Sequence, residues 1–497
     1  MMRCPLSNRG RTLASAAALA AAVAFSGCAP IGPDYRRPEV PLPAAWRAGP
    51  ADAADVVNSA WWEAFGDAEL NALIQAAVAA NKDLLIAAYR VEQSSAKLDV
   101  SKAASYPQLG YNARAERNER SEEQPALLAP TRDPNYNNYE GNLTLRWEID
   151  VWGRVARANE AARAELLASE EARRAVMLKV VTNVADAYVQ LLARDRQLAL
   201  ARQLLANRKD AADLLQGKYE GGSATQIDAV RAAAAVEEAQ TAIPPIERDI
   251  ALIENALSVL LGRNPGPVPR RTLDALALPA VPQGVPSDLL YRRPDVLAAE
   301  QTLVAANAQI GLAKSQYFPT ISLTGLFGLA SDQLRWLTAR TARQNDIVFG
   351  LTGVLFSGGR IDGDVRAAEA MRKQMAETYL QSVQTALREV EDSLASQGKA
   401  GEQVAAQRRR VQLLENVSKL ARARMEGGQS TMLDVLEADR QLLQARDQQT
   451  QVLREQFGAL VSVYKAMGGG WMIEQDKSRS MPPERLTGMA GETGIQQ

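Results

Sequence analysis

The chain has 497 residues, of which 46% are hydrophobic and 23% charged, with 33 glycines and 23 prolines, a balance that excludes wholesale disorder and collagen-like repeats. Lys and Arg number 57 against 58 Asp and Glu, so a net charge of −1 gives no electrostatic reason for nucleic acid as a main partner. Histidine is absent and only two cysteines occur, which excludes Ser-His-Asp hydrolysis, Cys-His chemistry, His-ligated zinc and a disulfide framework.

At the amino terminus Arg3, Arg9 and Arg11 precede an alanine-rich apolar stretch, 13–25, too short to span a bilayer as a stable helix. Residues 1–27 read as a secretory signal. Phe25, Ser26 and Gly27 run into Cys28, a pattern that resembles the bacterial lipobox, in which the cysteine becomes the first mature residue and carries covalent lipid. A cysteine buried behind an ordinary signal peptide is the alternative. Cys4 leaves with the signal, so Cys28 would remain as a lone thiol in an oxidising compartment, which favours lipidation. Two acyl chains anchor a protein firmly where one binds marginally.

Residues 67–104 carry a helical pattern that stops at Tyr106-Pro107, as a residue before proline should. Two period-two stretches follow. From Gln108 the polar set Gln108, Asn112, Arg114, Glu116 alternates with Leu109, Tyr111, Ala113, Ala115. From Asn142 the polar set Asn142, Thr144, Arg146, Glu148, Asp150 alternates with Leu143, Leu145, Trp147, Ile149, Val151. A charged loop over 118–138 is expected between them. A proline-free run, 155–216, then predicts a helix of roughly 90 Å, with Val184, Leu191, Leu198, Leu205 and Ala212 at the heptad spacing of a coiled-coil seam. A Gly221-Gly222 turn sends the chain back through 226–261, where Pro244-Pro245 should kink or open the helix. The proline-rich stretch 263–293 is a linker, after which the plan repeats: helix 294–316, strands 320–329 and 346–356, helices 361–425 and 432–467.

The repetition is literal. Glu220-Gly221-Gly222 through Asp228 recurs as Glu426-Gly427-Gly428 through Asp434 at an offset of 206, and the same offset pairs Gly153 with Gly359 and Gly262 with Gly468. Upstream, Tyr106-Pro107 matches Phe318-Pro319 and Asp83 matches Asp295 at an offset of 212, so six extra residues of the first copy fall between its strands. The organisation is therefore a first repeat, 67–262, the linker 263–293 and a second repeat, 294–468, flanked by segments 28–66 and 469–497.

Strands of about ten residues with one apolar and one charged face have the length and dyad of transmembrane β-strands; a covered soluble hairpin is the alternative. Trp147, Trp152, Phe318, Phe327, Trp336, Phe349 and Phe356 cluster at these segments, as an interfacial girdle would. No mature segment is expected to be apolar enough for a membrane helix. Four strands cannot close, so the chain must oligomerise; dimer, trimer and tetramer are all admitted. A wet lumen lined by Arg114, Glu116, Arg146, Glu148 and Asp150 needs more than about eight strands, and three chains would give twelve.

At the far turns, Thr225-x-x-Asp228 and Thr431-x-x-Asp434 read as helix caps with an acidic N3 residue. In an oligomer, Asp434 and Glu437, one helical turn apart, would also stack as acidic rings. Gly358-Gly359-Arg360 and Gly468-Gly469-Gly470 lack the lysine and spacing of a phosphate loop, and Arg408-Arg409-Arg410 is a solvated helix face.

The lipobox, the Gly32-Pro33-Asp34-Tyr35-Arg36-Arg37-Pro38 segment, Trp61-Trp62, Tyr291-Arg292-Arg293-Pro294-Asp295 and the duplicated strands and long helices make the mature chain similar to the TolC-like outer-membrane factors. Within them it resembles the lipoprotein branch that serves resistance-nodulation-division efflux pumps. The resemblance implies a mainly α protein with a membrane β part: a homotrimer with a 12-stranded barrel in the outer membrane continued by a 12-helix periplasmic α-barrel. Segments 28–66, 263–293 and 469–497 would form its equatorial belt. It implies a periplasmic adaptor and an inner-membrane pump as partners, no nucleic acid, and export of drugs or other small molecules through a passive duct. No enzyme activity, no metal and no cofactor besides lipid on Cys28 are expected. The family's acidic ring at the periplasmic constriction falls on Asp434 and Glu437, the latter in place of an aspartate, and its latch arginine and tyrosine fall on Ser430 and Met425. The rival readings are a channel for type I protein secretion and a structural envelope lipoprotein without a pore.

Overall fold

The computed structural model describes residues 30–43, 45–47, 60–119, 135–279, 281, 286 and 289–469. The expected signal peptide, Cys28 and the tail beyond Gly469 lie outside the described residues. In chain order the main elements are α1 (Ala68–Ala80), α2 (Lys82–Ala103), β1 (Gln108–Glu119), β2 (Asn135–Ile149), α3 (Arg154–Glu220), α4 (Gln226–Thr241) and α5 (Ile243–Leu260). The second repeat supplies α6 (Pro294–Ser315), β3 (Thr320–Ser331), β4 (Arg343–Thr352), α7 (Arg360–Glu426) and α8 (Met432–Ala466). Two compact units result, one holding residues up to 39, 90–169 and 299–379, the other 40–89, 170–298 and 380 onward.

The first unit contains one antiparallel sheet in the order β1-β2-β3-β4, so β1 and β4 are its outer strands, each paired on one side. Its register aligns Gln108 with Arg146 and Arg146 with Thr324, which puts Gln108, Asn112, Arg114, Glu116, Arg146 and Glu148 on a single face as the alternation required. The opposite face gathers Leu109, Tyr111, Leu143, Trp147, Leu323, Phe327, Ile347, Phe349 and Leu351. Most of these apolar side chains are exposed. On the polar face Asn142, Gly328 and Gln344 lie in line across three strands. A Cβ at Gly328 would stand 2.1 Å from Asn142 Oδ1. Glycine there lets the Gln344 amide donate to Asn142 across β3 at 2.8 Å.

Several boundaries differ from the sequence reading. The charged loop is shorter than 118–138, because pairing continues to Glu119 opposite Asn135. β4 starts at Arg343 and stops at Thr352, since Gly353 packs on Pro319 and leaves Val354, Leu355 and Phe356 outside the ladder and exposed. Asp150 is not on the strand face: it lies past the end of β2 and accepts from Ala156 N at 2.8 Å, at the start of α3. The helical pattern 67–104 is two helices, broken at Asn81, whose side chain accepts from Leu84 N at 3.1 Å and offers the backbone an alternative to helix. One helix does contain an 18-residue stretch apolar enough to cross a membrane, α3, with mean hydropathy 1.3. That stretch is 61% buried, and Val181, Val184, Tyr188 and Leu191 account for it as core. The heptad seam also drifts: Val184 and Leu191 are fully buried, but further along Ala211 and Leu215 are buried in place of Ala212. A straight helix with about 3.6 residues per turn slips about 20° per heptad against a 3.5 repeat.

The second unit has its core around Trp61, Phe65, Leu70, Ile74, Tyr188, Leu191, Leu257 and Leu460. Trp61 stacks on Tyr464 with centroids 4.9 Å apart. Asp67, also buried, caps α1 through Glu69 N and Leu70 N and accepts from Tyr188 OH at 2.8 Å. Burial, reinforced by that carboxylate, pushes the Tyr188 phenol far above its usual range. The linker is packed here: Val268, Leu273 and Leu276 join the core, and Arg270 pairs with Asp195 and Glu254.

The duplication survives as repeated contacts. Asn81 donates to Leu260 O at 2.8 Å, and Arg293, its counterpart, donates to Ala466 O at 3.1 Å. Gly262 (φ +69°) abuts Ala80 O, as Gly468 (φ +87°) abuts Arg292 O. Pro244 and Pro245 break the first return helix into α4 and α5, whereas α8 runs 35 residues without interruption.

A side chain at Gly262 would add left-handed backbone strain of about 1–2 kcal/mol to a Cβ 2.1 Å from Ala80 O. Gly262→Ala is therefore expected to lower the unfolding midpoint well below that of Gly66→Ala, whose Cβ meets nothing within 4 Å. Thermal unfolding followed by circular dichroism checks this, and equal midpoints would refute it.

Candidate functional site

The two far turns are built alike. α3 closes through Gly222 N to Tyr219 O and Ser223 N to Lys218 O, and α7 through Gly428 N to Met425 O and Gln429 N to Arg424 O. Gly222 and Gly428 take left-handed φ of +73° and +72°, which lets the chain reverse without a Cβ penalty. Thr225 then caps α4: its Oγ1 accepts from Asp228 N at 3.3 Å and donates to Asp228 Oδ2 at 2.7 Å. Thr431 caps α8 with a full capping box, in which Asp434 Oδ2 also accepts from Thr431 N at 2.9 Å.

Asp434 and Glu437 are both exposed and one turn apart on α8. Their carboxylates are engaged. Asp434 accepts from Thr431 N, Thr431 Oγ1 and Ser430 Oγ, and these bonds hold its pKa below the usual aspartate range. Glu437 accepts from Arg440 Nε at 2.8 Å, Arg440 Nη2 at 2.6 Å and Gln441 Nε2 at 2.8 Å. The guanidinium bonds chiefly, then Gln441, pull its pKa down to about 2. Ser430 is thus an added donor to Asp434.

One residue of this site was not singled out from sequence. Asp439, only 7% exposed, sits among Val435, Leu436, Leu442 and Leu443 on the packed face of α8. It accepts from Ser418 Oγ at 2.6 Å and from Arg422, both on α7, so the second hairpin is held near its turn by a compensated buried charge. The available signal was a carboxylate interrupting an apolar stripe at helical spacing. Arg446 to Glu415 and Gln407 to Ala445 O continue the α7 to α8 contact, and Gln197 to Asp447 ties α8 to α3. A cavity of about 570 Å³ lies between α3, α4, α5 and α8, with Leu200, Leu204, Ile246 and Leu443 beside Arg194 and Arg440. Among the described residues no three Asp, Glu, His or Cys side chains gather as a metal site.

The chain matches the model described as outer membrane efflux protein over residues 73–263 and 285–469, one match for each repeat. The chain belongs to this family. It is 34% identical over 467 residues to the toluene efflux pump outer membrane protein TtgF of Pseudomonas putida, covering 91% of this chain and 96% of the relative. It is 32% identical over 457 residues to the cation efflux system protein CusC of Escherichia coli, covering 90% and 97%. Its fold is similar to the open-state outer membrane channel MtrE of Neisseria gonorrhoeae, with a TM-score of 0.80, 25% identity and coverage of 89% and 99%. This outer membrane efflux protein is thus a TolC-like channel component of an efflux system, and its long helices and small sheet are that family's architecture.

Thr431→Ala removes both the Oγ1 acceptor and one donor to Asp434, and a lost N-cap costs about 1 kcal/mol. Amide hydrogen exchange of residues 432–435 should accelerate about fivefold with the midpoint of global unfolding nearly unchanged; unaltered exchange would refute the cap's role.

Proposed function

We propose that this outer membrane efflux protein is the passive exit duct of a tripartite pump. It is anchored by lipid on Cys28 and assembles as a homotrimer whose twelve strands form a barrel in the outer membrane and whose helices continue as a periplasmic tunnel. Cargo reaches it from an inner-membrane resistance-nodulation-division pump through a periplasmic adaptor, and the duct itself catalyses nothing. The observation that carries this reading is the open four-stranded sheet, apolar on one face, charged on the other, with an outer strand at each end. In lipid the unpaired groups of those strands must find partners, and another copy supplies them. Relatives of nearly equal identity are named for toluene and for cations, so cargo is assigned to the pump and not to the duct.

Asp434 and Glu437, three of each in a trimer, are the acidic rings at the periplasmic mouth. Purified protein in planar bilayers should conduct with a preference for cations, and Asp434→Ala with Glu437→Ala should reduce that preference. A protein that never passes ions, with or without these changes, would overturn the duct and favour a poreless envelope lipoprotein.

Because the folded pKa of Glu437 is depressed to about 2, its charge and its pairing persist as pH falls and are lost only near that value. Cation preference should therefore hold from pH 7 down to about pH 4. Arg440→Gln removes the main cause of the shift, moving the Glu437 titration back toward 4.5 and the loss of preference up to about pH 5. Reversal potentials across a salt gradient at each pH measure this; identical pH profiles for the parent and Arg440→Gln would refute it.

A further inference from the structure

Residues 30–38 form an extended strap against α6 and the first turn of α3, within the unit that holds the sheet. Arg157, 4% exposed, gathers it. Its Nε donates to Ile31 O at 3.2 Å, and its Nη2 to Gly32 O at 3.2 Å, Pro30 O at 3.4 Å and Asp34 Oδ1 at 2.8 Å. Its Nη1 donates to Glu160 at 2.7 Å, so the buried charge is compensated on two sides. Ile31 N donates to Trp152 O at 3.1 Å, at the junction of β2 and α3.

α6 supplies the other wall. Glu300, 5% exposed, accepts from Arg37 Nε at 2.6 Å, Arg37 Nη2 at 2.7 Å and Tyr35 OH at 3.1 Å. Asn307, 2% exposed, donates to Pro33 O at 2.8 Å. At Gly311 a Cβ would stand 2.4 Å from Ile31 O, so backbone meets backbone with no room for a side chain.

The duplication provides an internal comparison. In its register Glu300, Asn307 and Gly311 correspond to Ala88, Ser95 and Asp99, and Arg157 corresponds to Gly363. Ala88 has no carboxylate, Ser95 no amide and Gly363 no guanidinium, while Asp99 adds a side chain where the strap needs none. We infer that Arg157, Glu300, Asn307 and Gly311 form a docking groove specific for the chain's own amino-terminal strap, and that the equivalent surface of the other repeat rejects it. The groove fixes Pro30 against Gly153, where a Cβ would stand 2.5 Å from Pro30 Cα.

Limited trypsin digestion of the full-length protein, extracted from membranes with its lipid, tests the groove. Cleavage after the exposed Arg36 requires this stretch to leave the groove, where Arg37 is held by Glu300. The parent is expected to resist cleavage there, and Arg157→Gly and Gly311→Asp, each taking the residue of the other repeat, to be cut at least tenfold faster. Cleavage confined to residues 36–47 with the long helices intact marks release of the strap and not unfolding. Asn307→Ser and Glu300→Ala carry the same expectation should the first pair fail to accumulate, and the reverse changes Gly363→Arg and Asp99→Gly should leave the parent rate. Parent-like resistance in the groove variants, or rapid cleavage of the parent, overturns the groove. The mass of the amino-terminal peptide reads acylation separately: an unmodified Cys28 with a protected Arg36 overturns the lipid anchor and leaves the groove standing.

Discussion

The structure depends on a sheet that is unfinished within one chain. Hydrogen bonding between β1, β2, β3 and β4 satisfies the interior of the ladder, and its outer strands still carry a row of donors and acceptors on one side. Water could meet them, but Leu109, Tyr111, Ile347 and Phe349 on the apolar face argue for lipid around the same strands. Lipid cannot hydrogen-bond, so in lipid those groups need partners beyond the four described strands. Besides the sheet the chain has long helices, a packed region around Trp61 and Tyr188, and turns closed through left-handed glycines.

Much of this was legible in the chain because it depends on local periodicity. Alternation from Gln108 and from Asn142 fixes which side chains share a face, and the register confirms the grouping as far as Ile149, with Asp150 and Val151 beyond the strand. The offset of 206 identifies turns that close through equivalent atoms, Lys218 O in one and Arg424 O in the other. Thr431-x-x-Asp434 specifies its own capping box, since donor and acceptor are three residues apart. Element ends were less legible. Strand pairing extends as far as a partner is available, so β1 and β2 lengthen each other into a region whose charge suggested a loop.

Contacts between distant segments were not legible. Arg157 meets Asp34 across 123 positions, and Glu300 meets Arg37 across 263. Neither side of such a pair looks unusual in a chain with 57 cations and 58 anions. Asp439 shows the intermediate case, because its place on an apolar stripe is visible in sequence but its donors on α7 are not. Asn81 and Arg293 occupy matching positions and make matching bonds with different chemistry, so the contact outlasted the residue type.

The return helices differ mechanically. Pro244 and Pro245 have no N–H to give the preceding turn, so the rod formed by α4 and α5 has an articulation part-way along its length, whereas α8 is unbroken over 35 residues. A load applied at the far end of α8 is transmitted to its root, near Tyr464, as a displacement of the whole lever. The same load on α4 is absorbed at the joint.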